Sequence, residues 1–232
     1  MKTYKHHHPW GFTLMELLVV ITIIVALAGL SVPQITRTLK AKDRLLATHN
    51  ATQLFAGLSE FSQEYGSLPD RSTATAVIDR TDTKLKLDGD SANDYFRQLI
   101  AAGLIRSEDP FYAPTANSKR KPDNIFDGDD ALKPGEVGFG YILNGNSAMP
   151  LDYPGRFIAV SPLTNAAKGE FDPGAYWDKV VALCADGSVQ HLDIRPDSHK
   201  AHVAKGKTLL ETGPGTRWGT EIHPVIKAPK FK

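Results

Sequence analysis

Residues Gly11 to Val20 read GFTLMELLVV, and the apolar run continues as ITIIVALAGLSV to Val32. From Phe12 to Val32 the only charged residue is Glu16. As a helix rising about 1.5 Å per residue, this run spans about 31 Å, the thickness of a bilayer core. Lys2 and Lys5 precede it and no basic residue interrupts it, which predicts an N-terminus on the cytoplasmic side. A carboxylate in such a helix costs about 2.5–3.5 kcal/mol near the centre and less near an end. The fold and the function both turn on what Glu16 is for.

A plain signal anchor accounts for the hydrophobicity. So does a secretory signal peptide, with Ala26-Leu27-Ala28 before Gly29 as its cleavage site. Both leave Glu16 without a role. The order of a basic leader, then Gly11, Phe12, Thr13, Leu14 and Glu16, then a long apolar run, resembles the processing signal of type IV prepilins and of the pseudopilins of type II secretion. The resemblance implies that a membrane aspartyl peptidase cuts between Gly11 and Phe12 and that Phe12 is then N-methylated. It makes Glu16 the fifth residue of the mature chain, paired with the N-terminal amine of a neighbouring subunit. A cation delivered by the next subunit offsets the cost of burying a carboxylate. Pro33 falls where many pilins carry a helix-distorting proline, and Gly29 with Pro33 marks a place for the helix to loosen.

Beyond Pro33 the pattern turns amphipathic. Ile35, Leu39, Leu46, Leu54, Leu58, Phe61 and Tyr65 recur at helical spacings, with Arg37, Lys40, Lys42, Asp43 and Arg44 on the polar side. Gly66 suits a C-cap and Pro69 forbids continuation. The organisation expected is a leader over 1–11, a helix over 12–65 with 12–32 in the membrane or filament core, and a head over 66–232.

Within the head, residues 66–91 read as a polar loop with one short strand. Ser91 to Asp94 form a capping-box-like start to a helix carrying Tyr95, Phe96, Leu99 and Ile100 and closed by Gly103. A long polar excursion follows, from Asp109 to Glu136. Strands are expected at 138–143, ending on Asn144-Gly145, and at 156–162. VVALCA and SVQHLDI form a hairpin across Asp186-Gly187. The Gly- and Pro-rich end reads as an extended tail anchored by Trp218. The fold class is α+β: a long N-terminal helix, its first half transmembrane, packed on a small antiparallel sheet in the manner of pilins. The Tyr95-Phe96-Arg97-Gln98-Leu99 helix, the Ala185-Asp186-Gly187-Ser188-Val189 hairpin and the Trp218-Gly219 tail resemble pseudopilin-like proteins laid out as the major pseudopilin is.

Asp88-Gly89-Asp90 and Asp127-Gly128-Asp129-Asp130 offer oxygen ligands for calcium, without EF-hand spacing. The major pseudopilins carry a calcium loop late in the head, to which neither cluster aligns; of the two, the second, with Asp127, Asp129 and Asp130, is the favoured candidate. Acidic turns open to solvent are the simpler reading. His191, His199 and His202 read as surface histidines rather than a zinc site. Cys184 is the single cysteine, so no intrachain disulfide forms, and its apolar setting marks a core thiol. Ser161 and Ser188 lie in no hydrolase motif, so no enzyme is expected.

The net charge is +1 with basic residues dispersed, which argues against nucleic-acid binding. Loss of Lys2 and Lys5 leaves the mature chain one charge negative. The resemblance implies a single-pass inner-membrane protein with a periplasmic head, and an extracytoplasmic filament after assembly. Its partners are copies of itself or other pilin-like subunits, the prepilin peptidase, an assembly platform with its ATPase, and the membrane. A type IV pilus subunit, and an anchored periplasmic binding domain that never assembles, are the alternatives.

Overall fold

The apolar run opens a single helix, α1 (Leu14–Tyr65), of 52 residues. The structure, a computed structural model, describes residues 11–203 and 206–231, with side chains except at 30–33 and 129. Residues 1–10, which hold Lys2, Lys5 and His6, His7 and His8 of the expected leader, lie outside the described residues. The chain divides into two compact units, residues 1–39 and 40–232.

In the first unit every residue from 11 to 29 and from 34 to 39 is exposed. The backbone is helical through both Gly29 and Pro33. Among the described residues α1 is the one helix long and apolar enough to cross a membrane.

The second unit holds the rest of α1, two further helices and the sheet. α2 (Arg71–Thr81) replaces the loop expected there, so that expectation is corrected. Its start is a reciprocal cap. Asp70 accepts from the Ser72 and Thr73 amides at 2.8 and 3.0 Å, while the Asp70 amide donates to Thr73 Oγ1 at 2.8 Å. Thr73 Oγ1 also donates to Gln98 Oε1 at 2.7 Å, tying α2 to α3 (Ala92–Ala101). α3 begins as the sequence predicts: the Ser91 amide donates to Asp94 Oδ2 at 3.1 Å.

Eight strands follow: β1 (Gly140–Asn144), β2 (Phe157–Ser161), β3 (Leu163–Asn165), β4 (Glu170–Phe171), β5 (Lys179–Cys184), β6 (Val189–Ile194), β7 (Ala201–His202) and β8 (Pro224–Lys227). Six form one antiparallel sheet in the order β7-β6-β5-β2-β1-β8, and β3 pairs with β4 apart from it. The β5–β6 hairpin is present with a different turn. Leu183 pairs with Val189, the Cys184 amide donates to Ser188, and Gly187 alone of the turn takes a positive φ, +82°. That is a three-residue connection ending on a left-handed glycine, not a two-residue turn.

Within the extended tail, residues 224–227 form edge strand β8 on β1. Trp218 anchors the segment before it, buried edge-on against Phe157 with Nε1 donating to the Leu209 carbonyl.

The core of this unit is lined from α1 by Ala47, Ala51, Leu54, Leu58 and Phe61, all fully buried. Leu54, Leu58 and Phe61 of the expected stripe are thus in the core, whereas Ile35, Leu39 and Leu46 are exposed and Ala47 and Ala51 complete the buried face. Gly57 belongs to the same close approach, since a Cβ there would lie 2.4 Å from Ile105 Cδ1.

Candidate functional site

Two groups of residues bear on function: the start of α1, and a set of carboxylates in the long excursion. At the start of α1, Gly11 and Phe12 are exposed and precede the first helical turn, so the bond between them lies outside the helix. Thr13 caps the helix. Its carbonyl accepts from the Leu17 amide at 3.2 Å, and its hydroxyl accepts from the Glu16 amide at 3.2 Å. Glu16 reaches back: one carboxylate oxygen, Oε2, accepts from the Thr13 amide at 2.9 Å and from its hydroxyl at 2.8 Å. This is a capping box at the positive end of the helix dipole. The second oxygen of Glu16 has no partner among the described residues. Thr13 enters the sequence reading as part of the processing motif; its capping role is carried by the Thr-x-x-Glu spacing of residues 13–16.

In the excursion, Glu108, Asp123 and Glu136 bring carboxylate oxygens within 4.8 Å of one another. Glu108 is fully buried and organises the loop. Its Oε2 accepts from the Asp123 and Asn124 amides at 3.1 and 2.9 Å, and Oε1 accepts from Leu132 at 2.8 Å. Lys133 Nζ lies 2.7 Å from Asp123, holding its carboxyl below the usual range. Burial pushes Glu136 up, and the nearby charge of Glu108 adds to this. The oxygen set suits a hard divalent cation. Five backbone amides and one ammonium already neutralise much of it, those of Lys133 and Ile125 donating to Glu136 and Asp123, so the cluster is also explained as the loop's own scaffold.

The residues expected for calcium do not form this cluster. Asp127 precedes the 3₁₀ turn at Gly128–Asp130 and makes no side-chain cap bond. Asp130 lies 3.7 Å from Lys133. The side chain of Asp129 is outside the described set. Asp90 is engaged elsewhere, accepting from Tyr95 Oη and Lys227 Nζ at 2.8 Å each.

The histidines do not converge. His191 meets Thr48 Oγ1 of α1 at 2.9 Å, His199 sits in a left-handed turn, and His202 lies opposite Asp193 on β7. Ser161 is buried against Tyr176 Oη, and Ser188 donates to Asp186 in its own turn. Burial raises the Cys184 thiol, as expected of a core residue. No protein-family model, no curated protein and no solved structure matches this chain.

Proposed function

We propose that this chain is a pilin-like structural subunit of a type II secretion pseudopilus, cut between Gly11 and Phe12 and polymerised through the first part of α1. The observation that carries this reading is a lone carboxylate, Glu16, at the fifth position after a Gly-Phe bond. It stands on a helical segment where all residues from 11 to 29 are exposed and every other side chain is uncharged.

Such a surface is unstable in water, and lipid or neighbouring helices must cover it. Burial contributes about 25 cal/mol per Å² of apolar area without fixing register. The charge fixes it. Thr13 orients Glu16 through one oxygen and leaves the other for a cation. In a dry helix bundle an amine from the next subunit satisfies that oxygen, and a subunit one turn out of place leaves two unpaired charges. The chain is then a peptidase substrate and an assembly unit, not an enzyme. It sits as a single-pass inner-membrane protein with a periplasmic head, and it needs an assembly platform from other proteins.

The test is the N-terminus and intact mass of the protein from its native membrane, together with Glu16→Ala. The expected result is an N-methylated Phe12 start, and a variant that inserts normally but is lost from filaments. A start at Gly29 shows an ordinary signal peptide and overturns the reading. Undiminished incorporation of Glu16→Ala overturns the pairing.

A further inference from the structure

Arg156 is a buried cation without a counter-ion. It begins the approach to β2, and only 8% of its surface is exposed. Its Nε is sealed from solvent and makes no hydrogen bond. Among the described residues it has no carboxylate partner, and its two terminal nitrogens make no hydrogen bond to the protein. Unlike Nε, those terminal nitrogens are not sealed, so the open edge of the guanidinium is the edge that reaches solvent.

The backbone builds this arrangement. Tyr153-Pro154-Gly155-Arg156 is a turn closed by the Arg156 amide donating to the Tyr153 carbonyl at 3.1 Å. Such a turn sets its first and fourth residues side by side. The Arg156 guanidinium lies over the Tyr153 ring, 3.8 Å from its centroid. On the other side, the Arg156 carbonyl accepts from Ala185 at 2.8 Å, fixing the residue to the β5–β6 turn. A ring face contributes about 0.5–2 kcal/mol to a cation. The effective cost of burying an unpaired ion is several kcal/mol. The ring offsets part of that cost, and the edge that reaches solvent is left to be met by water or by an anion.

We propose that Arg156, backed by Tyr153, is a binding site for a single carboxylate, taken edge-on by the guanidinium fork. Its charge and shape select that class. The fork is planar and singly charged, which matches a carboxylate. A phosphate dianion calls for a second cation, and the neighbouring one is committed. Arg217 donates to the Gly155 carbonyl and to Gln190 Oε1, both at 2.8 Å, and stacks on Phe157. The carboxylate comes from a small acid or from an acidic side chain on another protein molecule; the chemistry is shared.

The experiment uses the full chain in neutral detergent micelles, isotope-labelled, with the backbone amides of Gly155 and Phe157 as reporters. One arm titrates sodium acetate against sodium chloride at constant ionic strength. A second arm raises the protein concentration without acetate. A third replaces acetate with inorganic phosphate. A saturable shift with acetate that is absent in Arg156→Gln supports the site. So does a shift with protein concentration that acetate reverses, and this assigns the carboxylate to a second copy. Arg156→Lys, which keeps the charge and loses the fork, is expected to weaken binding by about tenfold. Should Arg156→Gln fail to fold, Tyr153→Ala, at a residue 58% exposed, serves in its place and also weakens binding. No saturable shift in either of the first two arms overturns the proposal, as does phosphate binding more tightly than acetate.

Discussion

Glu16 and Asp94 are both carboxylates on the first turn of a helix, yet their demands differ. Glu16 is exposed and keeps one oxygen unpaired, whereas Asp94 is 2% exposed and fully engaged. Arg97 Nη1 lies 2.8 Å and Lys230 Nζ 2.7 Å from Asp94 Oδ1, and Ser91 donates to Oδ2. Burial by itself would raise the Asp94 carboxyl, but the Lys230 and Ser91 hydrogen bonds outweigh it and hold the group low. Asp94→Ala strands a buried guanidinium, and a loss of about 3–5 kcal/mol is expected in urea unfolding of the full chain in detergent. Since the folded value is depressed, this stabilisation is complete above the unfolded value of about 3.9 and fades as pH falls below it. Glu136 has the opposite sign. Its raised value means that ionisation costs stability as pH rises through the folded value. Glu136→Gln keeps an acceptor for the Lys133 amide, which Glu136 Oε2 receives at 2.6 Å. It is expected to raise the melting temperature at pH 7, with the gain shrinking in acid. A thermal melt series across pH checks both signs. The Glu16 position was legible in sequence because one charge among apolar residues is conspicuous. The Glu108, Asp123 and Glu136 group was not, because loop residues 28 positions apart at the extremes have no period that announces their meeting.

At the scale of elements, α1 shows where periodicity reads well and where it misleads. Its extent and its Gly66 end follow from the pattern. The face it buries follows only in part: Leu54, Leu58 and Phe61 are legible, whereas alanine and glycine carry little hydrophobic signal although they permit close packing. Ala47, Ala51 and Gly57 let neighbouring groups approach where leucines would hold them off. Gly57→Val is therefore expected to destabilise the second unit by about 1–3 kcal/mol through overpacking against Ile105 and Leu99. Ile105→Ala in the same chain should recover part of that loss, and chemical denaturation of the single and double variants measures the coupling. α2 was missed for a related reason. Its sequence RSTATAVIDRT is rich in β-branched and polar residues, which lower helix propensity. The cap overrides that weakness. Asp70 supplies both oxygens, since Oδ2 also accepts from Ala148 at 3.0 Å. Asp70→Ala should thus cost more than the roughly 1 kcal/mol of an ordinary cap.

Across the whole molecule, the residues to which the proposed function gives assembly and those that hold the head together are different sets, and that permits a direct comparison. β8 closes the edge of β1, and the residues beyond it reach α3. Ala92 donates to the Ala228 carbonyl at 2.9 Å, Lys230 donates to Asn93 Oδ1 at 2.7 Å, and Lys227 and Lys230 supply cations to Asp90 and Asp94. The sequence reads as an extended tail without a strand because Gly and Pro interrupt the stretch before it and the strand itself is only four residues long. Truncation after His223 leaves β1 with an unpaired edge, removes both cations and exposes the Asn93 side chain. It is expected to lower the head's melting temperature sharply and to make it sensitive to protease, while membrane insertion through α1 is unaffected. Glu16→Ala is expected to do the reverse: an unchanged head melt, normal insertion and no incorporation into filaments. Measuring melt, protease resistance, insertion and incorporation for both variants in parallel separates the two roles. If truncation abolished insertion, or if Glu16→Ala lowered the head's melting temperature, the assignment of assembly to the start of α1 and of stability to the tail would fail.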